Sequence, residues 1–506
     1  MKLIIKNYGA IKEASIDLSK KLYLFVGYNN TGKTYLTKLI YEIFNPDTLS
    51  AFSSSEFNTF DNEKDIEDLI LTQKIIDTIL EDFSNYLKEE VVIKRLLKLN
   101  TQTSDLEKLH IAFKYDIETI ENSELKSNSE LKVAGLSTVA FNVIKEKKSL
   151  KLKIEQWNKG EFLSAIIPDD KEELFQSYFD KFFKKDDSKE AFSSFINVMN
   201  NSTNICLLLN LLLQIDEKPF FLPSNRDFIL ENAEALKTKV DETTKEIAKL
   251  AVDLLGTGDT NKEQISNLLA RKLENAQPSY IQELSDEILK LRSNKDEGFI
   301  IQGTSFYDDL LEKLTKLLGG EIIYEKASAI SNSYEKFKLH QGAEKVIKMD
   351  LASSSVNQLS PLFLFFKYLA KAERNFLMID EPEENLHPQN QILLINLLME
   401  FIANNNRLLI TTHSPLIAEV INNYLVLSQL TNKEEIIKER GLPQIDITAD
   451  NVGIYHFAGE KVFEQRIDKY GALVTSFKLA QDDVYDFGGE LGDLMFKQLA
   501  RESNKA

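Results

Sequence analysis

The chain has 506 residues, which at about 150 residues per domain predicts two or three folded units. Hydrophobic residues make up 43% and charged residues 28%, a balance that excludes a mostly disordered or a collagen-like chain. The net charge of −18 disfavours a broad nonspecific grip on nucleic acid, because such a grip relies on Lys and Arg releasing phosphate counterions. Any DNA contact is therefore expected to be local or supplied by a partner.

Hydropathy and cysteine usage bear on the cellular compartment. No stretch approaches the roughly 20 uninterrupted apolar residues of a membrane helix, and the N-terminus lacks a charged-then-apolar signal design. We therefore expect a cytoplasmic protein without membrane contact. The one cysteine, Cys206, sits in an apolar run and is expected to be a packed thiol.

The first 45 residues predict the N-terminal half of an α/β unit. Three strands (LIIKNY, EASIDL and LYLFVG) are followed by a helix from about Lys33 to Phe44. This strand-loop-helix order is typical of a phosphate-binding segment.

Residues 46–345 are predicted to be a mainly helical insertion that also contributes some strands to the α/β unit. The run DIEDLILTQKIIDTILEDFSNYLKEEVVIKRLLKL, for example, has a helical pattern. A heptad-like stripe stops at the breaker GTGDT and spans about four heptads, which excludes a long coiled-coil arm. A short helical hairpin at about 229–293 and an ordinary amphipathic helix packed on a core remain equal alternatives. The stripe consists of Ile229, Leu236, Val240, Ile247, Leu250 and Leu254.

Residues 346–506 are predicted to be the C-terminal half of the α/β unit. A helix at 361–372 precedes the strand FLMID, and a helix at 389–404 precedes the strand RLLIT, after which a helix begins near Pro415. This alternation predicts an α/β fold whose sheet is parallel where these strands lie, with antiparallel strands from the N-terminus.

The segment from Gly27 to Thr34, GYNNTGKT, matches the phosphate-loop pattern GxxxxGK[ST] and lies between a strand and a helix. Its glycines let backbone N–H groups face the phosphates, Lys33 neutralises charge, and the hydroxyl of Thr34 is a magnesium ligand. The pattern predicts a site for ATP and Mg²⁺. The expected nucleotide contacts are Gly27, Asn29, Asn30, Thr31, Gly32, Lys33, Thr34 and Tyr35.

Two carboxylates, Asp380 and Glu381, follow the apolar strand FLMI. A buried parallel strand ends where a ligand binds, and adjacent carboxylates at its end point in different directions. We expect Asp380 to hold magnesium, directly or through water, and Glu381 to polarise the attacking water.

His413 follows another apolar strand about 30 residues beyond the acidic pair. A neighbouring strand would bring it to the same edge, where it could bond the γ-phosphate and sense its presence. We therefore group it with Glu381 and Lys33 as the catalytic candidates. The other four histidines lack metal-ligand spacing, which gives no support for a zinc site or an HNH-type nuclease centre.

Together these motifs resemble the ABC-type ATPases of the SMC, RecF and OLD-like group, over about 45 N-terminal and 110 C-terminal residues. The segment ASSSVNQ at 352–358 is similar to the group's signature motif, with serine where glycine is expected. The resemblance implies that this loop contacts the γ-phosphate bound by a second subunit, so that a homodimer or higher homo-oligomer forms composite ATP sites. A serine-rich helix N-cap is the alternative. The residues concerned are Ser353, Ser354, Ser355 and Asn357.

Two further segments extend the resemblance. EPEENLHP at 381–388 is similar to a stretch that forms an intersubunit loop in this branch, and FFLPSNR at 220–226 is similar to a strand-Pro-x-x-Arg segment. The resemblance implies that Arg226 reaches phosphate or stabilises the dimer. It also implies a magnesium-linking glutamine between the two halves, whose position the sequence leaves open.

At family level the chain resembles the ATPase subunits of Septu-type antiphage defence, called PtuA, which work with a separately encoded HNH nuclease. That resemblance implies nucleic acid contact through the partner and slow ATP hydrolysis that opens and closes paired subunits. An ATPase of PARIS-type defence that restrains a toxin-nuclease is an alternative. Another is an SMC- or RecF-like repair ATPase that binds DNA itself through basic stretches such as residues 145–153 or 181–185. Acidic residues at 446, 450 and 482–486 are expected to be solvated rather than a nuclease centre.

Overall fold

The protein is described by a computed structural model. It describes residues 1–45, 48–49, 52, 68–96, 108–115, 129–133, 137–146, 149–157, 219–224, 226, 305–325, 336–341, 345–371, 373–445, 447–472 and 491. The predicted hairpin at 229–293, Cys206, the basic run at 181–185 and the acidic residues at 446 and 482–486 lie outside these ranges.

A nine-stranded sheet organises the described part of the chain. From one edge to the other its strands are β5 (His110–Lys114), β1 (Lys2–Tyr8), β2 (Ile11–Asp17), β16 (Lys461–Glu464), β15 (Val452–Ala458), β3 (Leu22–Gly27), β14 (Arg407–Thr412), β13 (Phe376–Asp380) and β9 (Pro219–Leu222).

Five adjacent strands, from β15 to β9, pair in parallel. Their apolar runs are buried on both faces, as parallel strands covered by helices require. β5, β1 and β2 are antiparallel neighbours, and β16 runs antiparallel to β15. The predicted α/β fold, with a parallel sheet and N-terminal antiparallel strands, is confirmed.

Helices cover both faces of the sheet. Because successive side chains of a strand point to opposite faces, each strand contributes to two separate hydrophobic cores. Tyr23 and Phe25 of β3 belong to the core beneath the first helix, whereas Leu22, Leu24 and Val26 belong to the core on the other face. Each fully buried side chain of this kind contributes about 1.5–3 kcal/mol. The helices are α1 (Lys33–Phe44) and α2 (Gln73–Tyr86) on the first face, α3 (Ser305–Leu318), α4 (Ser354–Leu364), α5 (Pro388–Ala403) and α6 (Pro415–Ser428) on the second, and the exposed α7 (Lys433–Arg440).

Helix α4 begins seven residues before the position that the apolar pattern predicts, with Pro361 inside it. Its start depends on Ser353, whose side chain accepts from the backbone N–H of Val356 at 3.4 Å. The first turn is polar and partly exposed, so an apolar criterion does not detect it. A π-helical segment, Phe365–Leu369, continues the helix.

The described part of residues 46–345 holds both helices and strands. Residues 68–72 of the run predicted as helical form a strand, and α2 and a π-helical segment, Leu87–Leu96, follow it. β4 (Asp68–Thr72), β8 (Ser149–Trp157), β7 (Ser137–Glu146) and β6 (Ser129–Val133) form one antiparallel sheet in that order, and β10 (Glu321–Glu325), β11 (Lys336–Gln341) and β12 (Lys345–Lys348) form another. A short hairpin joins β17 (Ile467–Asp468) to β18 (Gly471–Ala472). The domain boundaries at 45 and 345 stay predictions.

Among the helices within the described ranges, none is both long and apolar enough to cross a membrane.

Candidate functional site

The candidate site lies at the carboxyl edge of the parallel strands. β14 pairs with β3 on one side and with β13 on the other, and Asp380 stands opposite Thr411 in the register. Parallel strands end at one edge, so the loop after β3, the acidic pair after β13 and the histidine after β14 meet there.

The loop between β3 and α1 has the backbone of a phosphate cradle. Gly27 and Gly32 have φ values of 147° and 95°, which favour glycine. A side chain at Gly27 would approach the carbonyl oxygen of Phe457 to 2.4 Å, so this position is closed to larger residues. Gly32 is the N-cap of α1, which has no side-chain cap and no acidic residue in its first turn. The N–H groups there can receive an anion.

The other loop residues divide into exposed and buried positions. Tyr28, Asn29 and Asn30 are exposed, and Asn30 has a φ of 60°. Thr31 is buried, and its hydroxyl donates to the carbonyl of Tyr28 at 2.8 Å. Tyr35 is 46% exposed. The exposed half of the loop is thus open to a ligand, and the buried half fixes its shape.

Lys33 is buried beneath the loop. Its ammonium donates to the carbonyls of Gly27 at 3.0 Å and Tyr28 at 2.8 Å. Burial lowers the pKa of Lys33 to about 8, although the carboxylates of Glu381, Asp380 and Glu383 oppose this shift. A bound anion would supply the negative charge that this buried ammonium needs.

Asp380 is 1% exposed and accepts two hydroxyl donors. The Thr34 hydroxyl donates to its carboxylate at 2.9 Å, and the Thr411 hydroxyl bonds it as well. Burial raises the pKa of Asp380, against the effect of these hydrogen bonds. A hydroxyl and a carboxylate in contact are hard oxygen donors of the kind that Mg²⁺ prefers, so the residues present fit this ion. Sequence patterns did not single out Thr411.

Glu381 has a left-handed backbone, with a φ of 50° that is uncommon outside glycine. Its N–H donates to the carbonyl and to the hydroxyl of Thr411, both at 3.1 Å. Its carboxylate is 2.8 Å from Nε2 of His413. The hydrogen bond from His413 lowers the pKa of Glu381 below its ordinary value, although burial opposes the shift.

His413 connects the acidic pair to the phosphate loop. Its Nδ1 is 3.4 Å from the ammonium of Lys33, and its Nε2 faces Glu381. These two partners assign a proton to Nε2 and a lone pair to Nδ1. The structure therefore brings Lys33, Thr34, Asp380, Glu381 and His413 into one continuous cluster.

Glu383 fixes the segment that carries His413. Its Oε1 accepts from the hydroxyl of Thr412 at 2.6 Å and from the N–H groups of His413 and Ser414 at 2.8 and 3.1 Å. Burial raises the pKa of Glu383, opposed by these bonds. The segment EPEENLHP was recognised in the sequence, but its spacing gave no sign that Glu383 caps the start of α6.

The signature-like residues take no part in that cluster within one chain. The hydroxyls of Ser353 and Ser355 are 2.9 Å apart, and Asn357 donates to the carbonyl of Met349 at 3.0 Å. Ser353 and Ser354 are exposed at the start of α4. Within one chain, Ser353 thus caps its own helix, and Ser353 and Ser354 remain accessible to solvent.

Arg226 has a different environment from the one expected. It is 1% exposed, and its guanidinium donates to backbone carbonyls, including that of Asp380 at 2.9 Å. A guanidinium enclosed in this way does not reach a phosphate, so that expectation is wrong. The expected stabilisation of a dimer stays a prediction.

A family model and two solved structures are similar to this chain. The model of the AAA ATPase domain family matches residues 1–418. No curated protein matches the chain significantly.

Two solved structures are similar at 12% identity. One is the Smc head domain with an extended coiled coil bound to the C-terminal domain of ScpA from Pyrococcus furiosus, which covers 95% of this chain and 98% of that chain at a TM-score of 0.32. The other is the SmcHead bound to the C-winged helix domain of ScpA, which covers 94% of this chain and 98% of that chain at a TM-score of 0.33. Neither superposition is close enough to transfer a residue's role.

The substitution Asp380→Asn is expected to raise the stability of the metal-free protein at neutral pH. A raised pKa means that the fold tolerates the ionised carboxylate less well than the unfolded chain does. That cost is absent below the unfolded pKa and grows as the pH rises through the raised folded value. Thermal unfolding in EDTA from acid to neutral pH measures it, and the gain should increase towards neutral pH.

Asp17→Asn is the matched control with the opposite sign. Burial acts to raise the pKa of Asp17, but hydrogen bonds from Ser19 outweigh it and hold this pKa below its ordinary value. The ionised form of Asp17 therefore stabilises the fold above the unfolded pKa, and this contribution is lost as the pH falls through the folded value. Asp17→Asn should destabilise at pH 7. A loss of stability in Asp380→Asn at pH 7 would show instead that the two threonine hydroxyls outweigh burial.

Proposed function

We propose, because the chain belongs to the AAA ATPase domain family, that it binds ATP with Mg²⁺ at the carboxyl edge of its sheet and hydrolyses it slowly. The observation that carries the proposal is the continuous cluster from Thr34 and Asp380 through Lys33 to His413 and Glu381. These groups supply a cation, a pair of oxygen donors and a carboxylate within one edge, as phosphoryl transfer to water requires.

Each group has a distinct role in the proposed reaction. Lys33, with its neighbouring N–H groups, holds the triphosphate, while Thr34 and Asp380 hold Mg²⁺, which supplies charge neutralisation of the phosphate oxygens. Glu381 stays ionised at neutral pH because its pKa is lowered, so it can orient water and accept its proton. His413 lies between Lys33 and Glu381 and can bond the terminal phosphate.

Slow turnover follows from how Glu381 is held in one chain. Its carboxylate is engaged by Nε2 of His413 at 2.8 Å. An attacking water needs that carboxylate released and the site closed from solvent. ATP binding and its loss thus act as a conformational signal.

We also propose that two copies complete each other's sites. Both proposed halves are exposed: Tyr28 of the loop is 63% exposed, and Leu351, which precedes the signature-like serines, is 75% exposed. The start of α4 presents the exposed residues Ser353 and Ser354 to solvent. Burying both halves against a two-fold related copy would cover the apolar side chains and bring those donors to the terminal phosphate.

The biological role that we propose is an ATPase subunit of a Septu-like antiphage complex that controls a separately encoded HNH nuclease. The support is the family-level resemblance to such subunits in the signature-like segment at 352–358, the long insertion at 46–345 and the length of 506 residues. Nucleic acid would then be contacted through the partner, in keeping with the net charge of −18.

Glu381→Gln is expected to bind ATP with Mg²⁺ and to hydrolyse it about 100-fold more slowly or worse, because the amide cannot accept the proton of water. Lys33→Ala is expected to lose ATP binding. Calorimetry and phosphate release measure the two properties separately, and Glu312→Gln on the exposed face of α3 is the control that keeps the parent rate. Hydrolysis by Glu381→Gln at the parent rate would refute its assigned role.

Composite sites are tested by mixing two inactive proteins, Lys33→Ala and Ser354→Glu. A glutamate in the first turn of α4 is compatible with the helix, since its charge favours the N-terminus, yet it repels phosphate. In a mixed dimer one site carries both lesions and the other carries none, so ATP hydrolysis should recover on mixing. If every site were built from one chain, Ser354→Glu alone would keep the parent rate, because the signature-like residues lie outside the cluster of their own chain, and mixing would restore nothing.

The proposed partner is tested by expressing the chain with its genomic neighbours and weighing the purified complex. A stoichiometric HNH protein, with DNA cleavage altered by Glu381→Gln, is the expected result. A topoisomerase-primase-type partner would support the PARIS-like alternative instead. Tight DNA binding by the chain alone, falling steeply with salt, would support the repair ATPase.

A further inference from the structure

We propose that Arg226 is a positioning residue for Glu381, which ties the signature-like helix α4 to the turn that carries this carboxylate. A change at the start of α4 would then be transmitted to Glu381. This inference rests on the proposed function, because it takes Glu381 as the group that orients water.

The guanidinium of Arg226 joins three segments that are distant in sequence. Its Nε donates to the carbonyl of Gln358 at 2.8 Å, and its Nη1 donates to the carbonyls of Pro223 at 3.0 Å and Asp380 at 2.9 Å. Its Nη2 lies 3.5 Å from the carbonyl of Glu381. The planar fork of arginine can reach several carbonyls at once, which the single ammonium of lysine cannot.

Burial makes the hydrogen bonds of Arg226 costly to break. Arg226 is 1% exposed, so a carbonyl that moves away takes a hydrogen bond from a buried, charged donor that water does not reach. Because the acceptors lie on the segment after β9, within α4 and after β13, these three elements are constrained to move together.

Gln358 forms a second link between the same elements. Its carbonyl accepts from Arg226, while its side-chain amide donates to the carbonyl of Ser224 at 2.5 Å and to the carboxylate of Glu384 at 2.6 Å. Gln358 lies one helical turn after Ser354. The start of α4 is thus joined to the 381–384 turn through both its backbone and a side chain.

Glu381 needs such support because its backbone is unusual. A φ of 50° at a residue other than glycine persists when surrounding contacts determine it. Thr411 holds its N–H, His413 holds its carboxylate, and Arg226 faces its carbonyl.

Arg407 offers a matched control in the same sheet. Its guanidinium also donates to backbone carbonyls, those of Leu18 at 2.6 Å and Lys20 at 3.3 Å. It begins β14, however, and so lies at the opposite edge of the sheet from Glu381. Substitution of Arg407 thus shows the effect of losing a structural arginine without disturbing the position of Glu381.

The test compares Arg226→Lys, Arg226→Gln and Arg407→Gln in the full chain. We expect kcat for ATP to fall about 10- to 100-fold in Arg226→Gln, with ATP affinity retained, because a small displacement of a catalytic group is enough. Arg226→Lys keeps the charge but lacks the planar fork, so its kcat should fall less than that of Arg226→Gln. Arg407→Gln should lower the melting temperature and keep kcat.

Hydrogen exchange in the nucleotide-free protein provides a readout that does not need hydrolysis. Exchange should quicken at 354–360 and 380–386 in both Arg226 variants and stay unchanged there in Arg407→Gln. If the parent hydrolyses no ATP, the proposed function fails, and exchange still decides whether the tie exists.

Two results would overturn the inference. One is a parent-like kcat in Arg226→Gln, and the other is an exchange increase spread evenly over the sheet. If Arg226→Gln does not fold, Gln358→Met replaces it, since it removes the second link and keeps the arginine. The same exchange pattern is then expected at smaller amplitude, and its absence counts against the tie.

Discussion

The parallel pairing of β3, β14 and β13 inside a buried sheet is the constraint on which the candidate site depends. Each strand is apolar over its length and covered by helices, so its polar groups are confined to its end. Three loops from distant parts of the sequence are thereby held at one edge with their side chains in contact. The loops supply the chemistry, and the sheet supplies its precision.

Burial at this edge of the sheet disfavours the charged forms of its ionisable side chains. Burial raises the pKa of Asp380 and of Glu383 and lowers that of Lys33. The charged form of each group is therefore less stable here than in water. Groups shifted in this way, within contact of one another, are characteristic of functional sites. The stability of the surrounding core offsets the free-energy cost of burying these charges. A bound ligand of opposite charge lowers that cost.

Local patterns predicted the parts of the site that are local. The run from Leu22 to Phe44 and the strands before Asp380 and His413 were readable because apolar strands and glycine-rich loops have short-range signatures. The roles of Thr411, Glu383 and Arg226 were not readable, because each depends on a partner about 30 or 154 residues away. The apolar pattern placed the start of α4 too late, because a polar first turn carries no apolar period, whereas the serine-rich segment at 352–358 indicated the N-cap that Ser353 forms.

The order of strands in the sheet has a consequence for biosynthesis. β3 is synthesised long before its two neighbours, residues 407–412 and 452–458, so both its edges stay unpaired until those residues have been made. Pairing over such separations is slow, and a waiting apolar strand is prone to associate with other chains. The antiparallel neighbours β1 and β2, by contrast, can pair at once. Assembly of the candidate site therefore waits for β14, and a truncated chain that ends before residue 407 would lack the strand that joins β3 to β13.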